Sequence, residues 1–406
     1  MNTYIQLAWR NIWRNKRRTI ITAASIFFGV VLSSIMSSMQ EGSYARYIKT
    51  IVNSYSGDLQ VHKKGYSNDK IINNTLEYSR EIQKKISKIK AITTITRRIE
   101  TFALASGTDL TKGVMVIGIS PSSEDQITSL SKKIVSGHYL IDGDKGIVLG
   151  SSLAKYMKII TGDTLVLLGQ GYHGVSAAGK YEVKGIIRQG SPELDRSVVY
   201  MDVKECQYFL SAENRVTSIV IMTDNSNQVV IAGKELAATL GSNFEVKDWK
   251  EINRVLLKQI DSDRASGLII KGILYLIIGF GIFGTTMMMT LERRKEFGVL
   301  IAIGMKKIKL AYVLLAETIL IGLLGSLSGI LVSIPIVGYF LYNPIRFTGQ
   351  TAESMIQMGF EPVISVTLAP SVFYNQALII LVFSFLIGLY PLSFIRKLKI
   401  STALYS

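Results

Sequence analysis

The chain has 406 residues, a formal charge of +16 and a positive mean hydropathy, with 48% of its residues hydrophobic. That balance excludes an ordinary water-soluble protein, while the 19% of charged residues excludes a purely membranous one. A basic excess also fits nucleic-acid binding, but here most of it flanks long apolar runs, so no nucleic-acid partner is expected.

At the N-terminus, Tyr4, Ile5, Ala8, Trp9, Ile12 and Trp13 fall at helical spacing, with Arg10, Arg14 and Arg17 on the opposite side. Residues 1–18 therefore read as a cytoplasmic amphipathic helix at the membrane surface. Trp9, Trp13, Arg17 and Arg18 are its expected anchors to lipid. The plainer alternative is a basic stop before a membrane helix. Ile20–Met39 is long enough to span the roughly 30 Å hydrocarbon core, giving a first transmembrane helix over 19–40. It is longer than a signal-peptide apolar region, and Ser33, Ser34, Ser37 and Ser38 supply no A-x-A-like site, so cleavage is not expected.

Residues 41–265 form an expected extracytoplasmic α+β domain with a stalk. Leu59–His62, Thr93–Ala105 and Gly113–Ile119 read as strands, the last two joined through Ser106-Gly107-Thr108-Asp109. Gly146–Gly150, Thr164–Leu168, Tyr181–Ile187, Ser197–Met201 and Ser218–Thr223 are further strands, while Ser151–Ile159, Lys204–Leu210 and Gln228–Leu240 read as helices. Cys206 is the only cysteine, so no internal disulfide is available, and it reads as a small buried apolar residue. Lys250–Arg264 contains no Gly or Pro and is expected to run as helix straight into the second span.

That second span covers 266–291. A basic segment, 292–309, separates it from a third span within 310–341, and a short outer loop over 342–374 leads to a fourth over 375–395 and a tail, 396–406. Lys and Arg crowd the N-terminus, the 292–309 segment and the tail, which places all three in the cytoplasm and the large domain outside. The expected fold class is thus a multi-pass α-helical membrane protein. Four transmembrane helices carry one large α+β extracytoplasmic domain between the first and second. Gly279, Gly281 and Gly284 in the second span, and Gly322, Gly325 and Gly329 in the third, permit close helix approach, within the chain or between subunits. Lys271 and Glu317 lie in or beside apolar spans. Each is either functional or able to reach an interface.

No G-x-x-x-x-G-K-[ST] loop, G-x-S-x-G elbow or H-E-x-x-H motif occurs, and His62, His138 and His173 lack metal-ligand spacing. The chain reads as non-catalytic, with no catalytic, cofactor-binding or metal-binding residues expected. Within the basic segment, Phe297, Leu300, Ile301 and Gly304 share one helical face behind a charged first turn, a pattern able to dock in a groove on a partner. A solvated loop that merely fixes topology is the alternative.

The run Glu292-Arg293-Arg294-Lys295-Glu296-Phe297-Gly298-Val299-Leu300-Ile301-Ala302-Ile303-Gly304 resembles the E-R-x-x-E-[IF]-G-x-L-x-A-[LI]-G pattern of FtsX-like ABC transporter permeases, the MacB and LolC/LolE superfamily. Ile147–Ala154 followed by Thr161–Leu165 is similar to the family's V-L-G-x-x-L-A…G-D-x-[VL] stretch, and Tyr181–Ile186 to its next strand. Gly388–Ser393 and then Leu398–Leu404 resemble the family's ending, with Ser401 where Pro is usual. The resemblance spans nearly the whole chain and is nearest to LolC/LolE. It implies that Glu292, Arg293, Glu296, Phe297, Gly298, Leu300, Ile301 and Gly304 form a coupling helix for a separate cytoplasmic ABC ATPase, which would hold the ATP and Mg. It also implies a second permease copy or sister chain, and a periplasmic lipoprotein carrier or adaptor. The implied activity is mechanotransmission that extracts lipoproteins from the inner membrane. The alternatives are MacB-like export of small amphiphiles or peptides, and a membrane-anchored binding or signalling protein without an ATPase.

Overall fold

The computed structural model describes residues 2–107, 110–357 and 362–397. Thr108 and Asp109 of the expected turn, the Leu398–Leu404 ending and the rest of the tail lie outside the described residues. The chain divides into a helical unit (residues 1–45, 259–346 and 363–406) and a sheet unit (46–258 and 347–362). In chain order the helices are α1 (Asn2–Arg14), α2 (Lys16–Ile51), α3 (Arg80–Ser87), α4 (Pro121–Thr128), α5 (Ser151–Met157), α6 (Pro192–Asp195), α7 (Val203–Phe209), α8 (Val229–Leu240), α9 (Trp249–Ile252), α10 (Arg254–Glu292), α11 (Arg294–Ala302), α12 (Lys307–Tyr342), α13 (Gly349–Gln357) and α14 (Pro370–Lys397). The strands are β1 (Leu59–Lys63), β2 (Leu76–Glu77), β3 (Ile92–Ser106), β4 (Thr111–Ile119), β5 (Ile134–Gly137), β6 (Ile147–Gly150), β7 (Thr164–Gln170), β8 (Ser176–Ile187), β9 (Val198–Asp202), β10 (Arg215–Val216), β11 (Ser218–Thr223), β12 (Phe244–Asp248), β13 (Ile345–Arg346) and β14 (Val363–Ile364).

Four helices, α2, α10, α12 and α14, are long and apolar enough to cross a membrane. Close packing in the helical unit depends on missing side chains. A Cβ on Gly325 would lie 2.7 Å from Ile26 Cβ, and one on Gly329 would lie 2.9 Å from Val30 Cβ, so α12 meets α2 along these two glycines. Gly279 and Gly322 face Phe383 and Ser384 of α14, whereas Gly281 and Gly284 have no neighbour within 4 Å. The expected glycine contacts are thus internal to the chain at four of the six positions. Inside the bundle, the hydroxyls of Ser33 and Tyr275 both donate to Gln376 Oε1, tying α2, α10 and α14 together. Lys271 is half-buried and reaches Ser37 Oγ at 3.4 Å.

Several helix ends differ from expectation: α1 stops at Arg14 rather than at 18, so Arg17 and Arg18 belong to α2, and α14 begins at Pro370. α2 continues to Ile51, well beyond residue 40, because Gln40–Thr50 contains no proline and its one glycine, Gly42, sits against the Val366 backbone. After β12 of the sheet unit, the helix expected from Lys250 starts only at Arg254. The Asp248 carboxylate caps α9 by accepting from Glu251 N at 2.8 Å, and the Asn253 side chain takes the Trp249 carbonyl at 2.8 Å. That side-chain bond competes with the helical ladder and closes the short turn. From Arg254 the helix is unbroken for 39 residues.

The sheet unit is built on one mixed sheet in the order β12-β1-β11-β3-β4-β9-β6-β8-β5, with β7 bridging β3 and β8. Most neighbours are antiparallel, but β4–β9 and β6–β8 run parallel. Each face carries a buried cluster. One carries the larger core, including Ile99, Val116, Leu149, Cys206 and Leu236 under α3, α5, α7 and α8. Its opposite face packs Ile117, Ile119, Leu130, Val148 and Tyr200. Cys206 is fully buried against Gly118, and burial pushes its thiol well above the usual range, which matches an inert core residue. Four long apolar helices with a mixed α+β domain between the first and second give the expected fold class.

Candidate functional site

The residues singled out in the basic segment gather at the α10–α12 connection of the helical unit. Arg293 is the pivot. It occupies the N-cap position of α11, donates from Nη1 to both carboxylate oxygens of Glu317 (2.9 and 3.1 Å), and from Nε to Glu296 at 3.2 Å. Glu317, on α12, is 4% exposed and also accepts from Asn11 Nδ2 at 2.6 Å. Its ambiguity is thereby resolved toward an ion-pair role inside the fold.

Two N-terminal cations complete a clasp: Arg14 pairs with Glu296, and Arg18 pairs with Glu292 through both guanidinium ends. Partial burial raises the Glu296 carboxyl, but bonds from Arg14 and Arg293 outweigh it and hold the group below the usual carboxylate range. Arg18, expected as a lipid anchor, is therefore an ion-pair partner, while Arg17 is exposed. Trp9 and Trp13 are 42% and 43% exposed and meet edge to face at 5.9 Å, with Ala8 and Ile12 buried on the inner side of α1.

The apolar face of α11 does not point where the sequence reading placed it. Phe297 is fully buried among Leu310, Ala311, Leu314 and Ile395, with the Arg293 guanidinium 5.2 Å from its ring centre. Leu300 and Ile301 are half-buried against the same cluster, and Gly298 is buried. A nine-residue helix has one strong apolar stripe, and the chain's own α12 and α14 occupy it. The outward face consists of Lys295, Val299, Ala302 and Ile303, with Ile303 79% exposed. Ile303 and Val299 were not singled out from sequence. The signal available was their four-residue spacing with Lys295, offset from the Phe297 stripe.

Gly304 has a backbone reason to be glycine. Its φ is +105°, a region that side-chain-bearing residues rarely adopt, and nothing lies within 4 Å of a Cβ placed there. Met305 N bonds Leu300 O at 3.0 Å and Gly304 N bonds Ile301 O at 3.1 Å, the paired closure of a Schellman C-cap. Gly304→Val is therefore expected to destabilise the helical unit by about 1–3 kcal/mol, with Gly304→Asn closer to the parent. Thermal unfolding of the chain in nanodiscs reads this difference.

Among the described residues, no group of three or more His, Cys, Asp or Glu side chains is placed to hold a metal ion. His62 is buried between Thr217 O (2.8 Å) and Gln60 Oε1 (3.0 Å), where burial lowers its pKa.

A family model for the FtsX-like permease C-terminal region matches residues 268–400, and one for the MacB-like periplasmic core domain matches residues 19–239, more than half of the chain. The chain belongs to the FtsX/MacB-type ABC transporter permeases. As a permease of this family it is a multi-pass membrane protein with a periplasmic-type core domain, and permease subunits of this kind are typically non-catalytic. It is 24% identical over 240 residues to the lipoprotein-releasing system transmembrane protein LolC of Xylella fastidiosa, covering 57% of the permease and 58% of that relative. The permease thus spans less than two thirds of that relative's length. LolC of Neisseria meningitidis is 21% identical over 81% of the permease and 79% of its own chain. The macrolide export protein MacB of Mannheimia succiniciproducens is 31% identical over 33% and 22%. The solved periplasmic region of MacB from Actinobacillus actinomycetemcomitans covers 52% of the permease and 97% of itself, at 13% identity and TM-score 0.38.

Proposed function

We propose that this permease is the membrane subunit of a mechanotransmission complex in the bacterial inner membrane. Its ATP and Mg are held by a separate cytoplasmic ATPase, and α11 is the helix that ATPase grips. The observation that carries this reading is the clasp. Arg14 of α1 holds Glu296, Arg293 at the N-cap holds Glu317 of α12, and Phe297 packs on α12 and α14, so α11 is fixed to three other helices while Val299, Ala302 and Ile303 stay uncovered. A helix fixed on one side and apolar on the other suits a groove on a partner. Force applied there passes to α10, which is continuous from Arg254 to Glu292.

Both termini are assigned to the cytoplasm on the charge asymmetry, and the exposed Trp9 and Trp13 face is assigned to the lipid interface. A second copy or a sister chain completes the pore-less pair, and lipoprotein extraction from the outer leaflet is the work done, with a periplasmic carrier receiving the cargo. The length of the match to the Neisseria LolC supports this cargo, and the local similarity to MacB supports export of small amphiphiles or peptides as the second reading.

Ile303→Glu tests the docking face. Burying an unpaired carboxylate in an apolar groove is expected to weaken ATPase co-purification and coupled ATP turnover about tenfold or more, without loss of folding. Unchanged turnover and unchanged co-purification would count against α11 as the contact. A photo-crosslinking lipidated peptide that labels the sheet unit in the ATP-driven complex would favour lipoprotein release over export of small amphiphiles.

A further inference from the structure

On β3, residues Arg98, Glu100, Phe102 and Leu104 share one face, which passes from buried to exposed along the strand. Arg98 is buried and committed to Glu124, Glu100 is half-buried, and Phe102 and Leu104 are 73% and 52% exposed. Cross-strand neighbours continue the apolar surface: Met115 lies opposite Phe102, and Leu168 (45% exposed) lies opposite Leu104. At the polar end of this strip is a cavity of about 250 Å³ whose lining includes Glu100, Tyr55, Tyr66, Phe102 and Met115, with Lys70 and Gln170 at its exposed rim.

The Glu100 carboxylate accepts one bond, from Tyr55 OH at 2.9 Å. Among the described residues, no Lys or Arg nitrogen lies within 4 Å of it. Lys70 at the rim and Arg98, whose guanidinium lies 5.5 Å from the Tyr55 ring centre, act on this acid only at a distance; a half-buried carboxylate beside two tyrosine rings and a phenylalanine, with no cation bonded to it, is the arrangement that receives an ammonium group. The exposed strip beside it then takes an apolar tail. From Glu100 to Leu104 the strand advances roughly 13 Å.

We infer that the Glu100 cavity and the Phe102–Leu104–Leu168 strip form a binding site for a small cationic amphiphile, with its ammonium group on Glu100 and its tail along β3. Burial pushes the Glu100 carboxyl above the usual range, so the site has desolvation energy to recover when a cation enters. This assignment does not depend on what the complex releases, since it rests on the sheet unit alone.

Saturation-transfer NMR on the full chain in nanodiscs, corrected with empty nanodiscs, tests it with hexyltrimethylammonium, hexanol and hexanoate as probes. The ammonium probe is expected to bind about tenfold more tightly than either of the others. Glu100→Gln is expected to bring it down to the hexanol level while leaving hexanol binding intact. Phe102→Ser, at an exposed position that the fold does not need, is expected to weaken both the cationic and the neutral probe. Equal affinity for all three probes, preference for hexanoate, or ammonium binding that survives Glu100→Gln would each overturn the assignment.

Discussion

Glu317→Ala is expected to destabilise the helical unit by about 3–5 kcal/mol and to abolish coupled ATP turnover, because it leaves the Arg293 guanidinium without its carboxylate in a site only 11% exposed. Asn11 loses its acceptor in the same step. Glu317→Gln keeps one oxygen that both Arg293 and Asn11 reach, but turns the other into an NH2 donor and removes the charge, and its cost is expected to be smaller, about 1.5–3 kcal/mol. Arg293→Met combined with Glu317→Leu removes both charges at once and is expected to recover most of the stability, but not the coupling. Thermal unfolding in nanodiscs together with ATP turnover in the reconstituted complex separates the two effects. If the double variant were as unstable as the sum of the singles, the ion pair would not be the source of the loss.

The sheet unit holds the second large effect. Arg98 and Glu124 are each 1% exposed and meet as a fork, with Nη2–Oε1 at 2.6 Å and Nε–Oε2 at 3.0 Å. Arg98 also donates to the Tyr55 carbonyl, and Thr96 Oγ1 reaches Glu124 Oε2 at 3.3 Å. Burial alone would lower the Arg98 pKa, but the Glu124 carboxylate outweighs it and the guanidinium stays charged. Glu124→Leu is therefore expected to cost about 3–5 kcal/mol, whereas Arg98→Met with Glu124→Leu is expected to be near neutral or stabilising. Denaturant unfolding followed at Trp249 measures the difference, and near-equal losses for the single and double variants would contradict it.

The contrast between these two sites shows what a sequence discloses. The strands of the sheet unit were readable because β-branched runs such as Ile147–Gly150 and Ser218–Thr223 stand between turn residues, and the four long helices because their apolar runs exceed a bilayer's thickness. The Arg98–Glu124 pair was not readable: a charge in a strand ordinarily marks the solvent face, and its partner sits on a separate helix, α4. For the same reason the clasp escaped notice. Asn11, Arg14 and Arg18 find Glu317, Glu296 and Glu292 across 274 to 306 residues of chain, and only the fold brings them together. The helix α11 itself was visible in its motif, but its facing was not. The stripe through Phe297 is the stronger one, and periodicity alone does not distinguish the chain's own α12 and α14 from a partner's groove. Gly304 was legible as a motif position, while its reason, a φ of +105°, lies in the backbone.

Site-directed crosslinking from Ile303 tests the central claim most directly. Cys206 is buried, so an introduced Ile303→Cys carrying a short photo-crosslinker labels from one place in the permease under native conditions. In the ATP-energised complex, the expected product joins this position to a subunit with a phosphate-binding G-x-x-x-x-G-K-[ST] loop, and the same reagent on Phe297→Cys gives none. A crosslink from Phe297 but not from Ile303, or no crosslink to a nucleotide-binding subunit from either, would contradict the account.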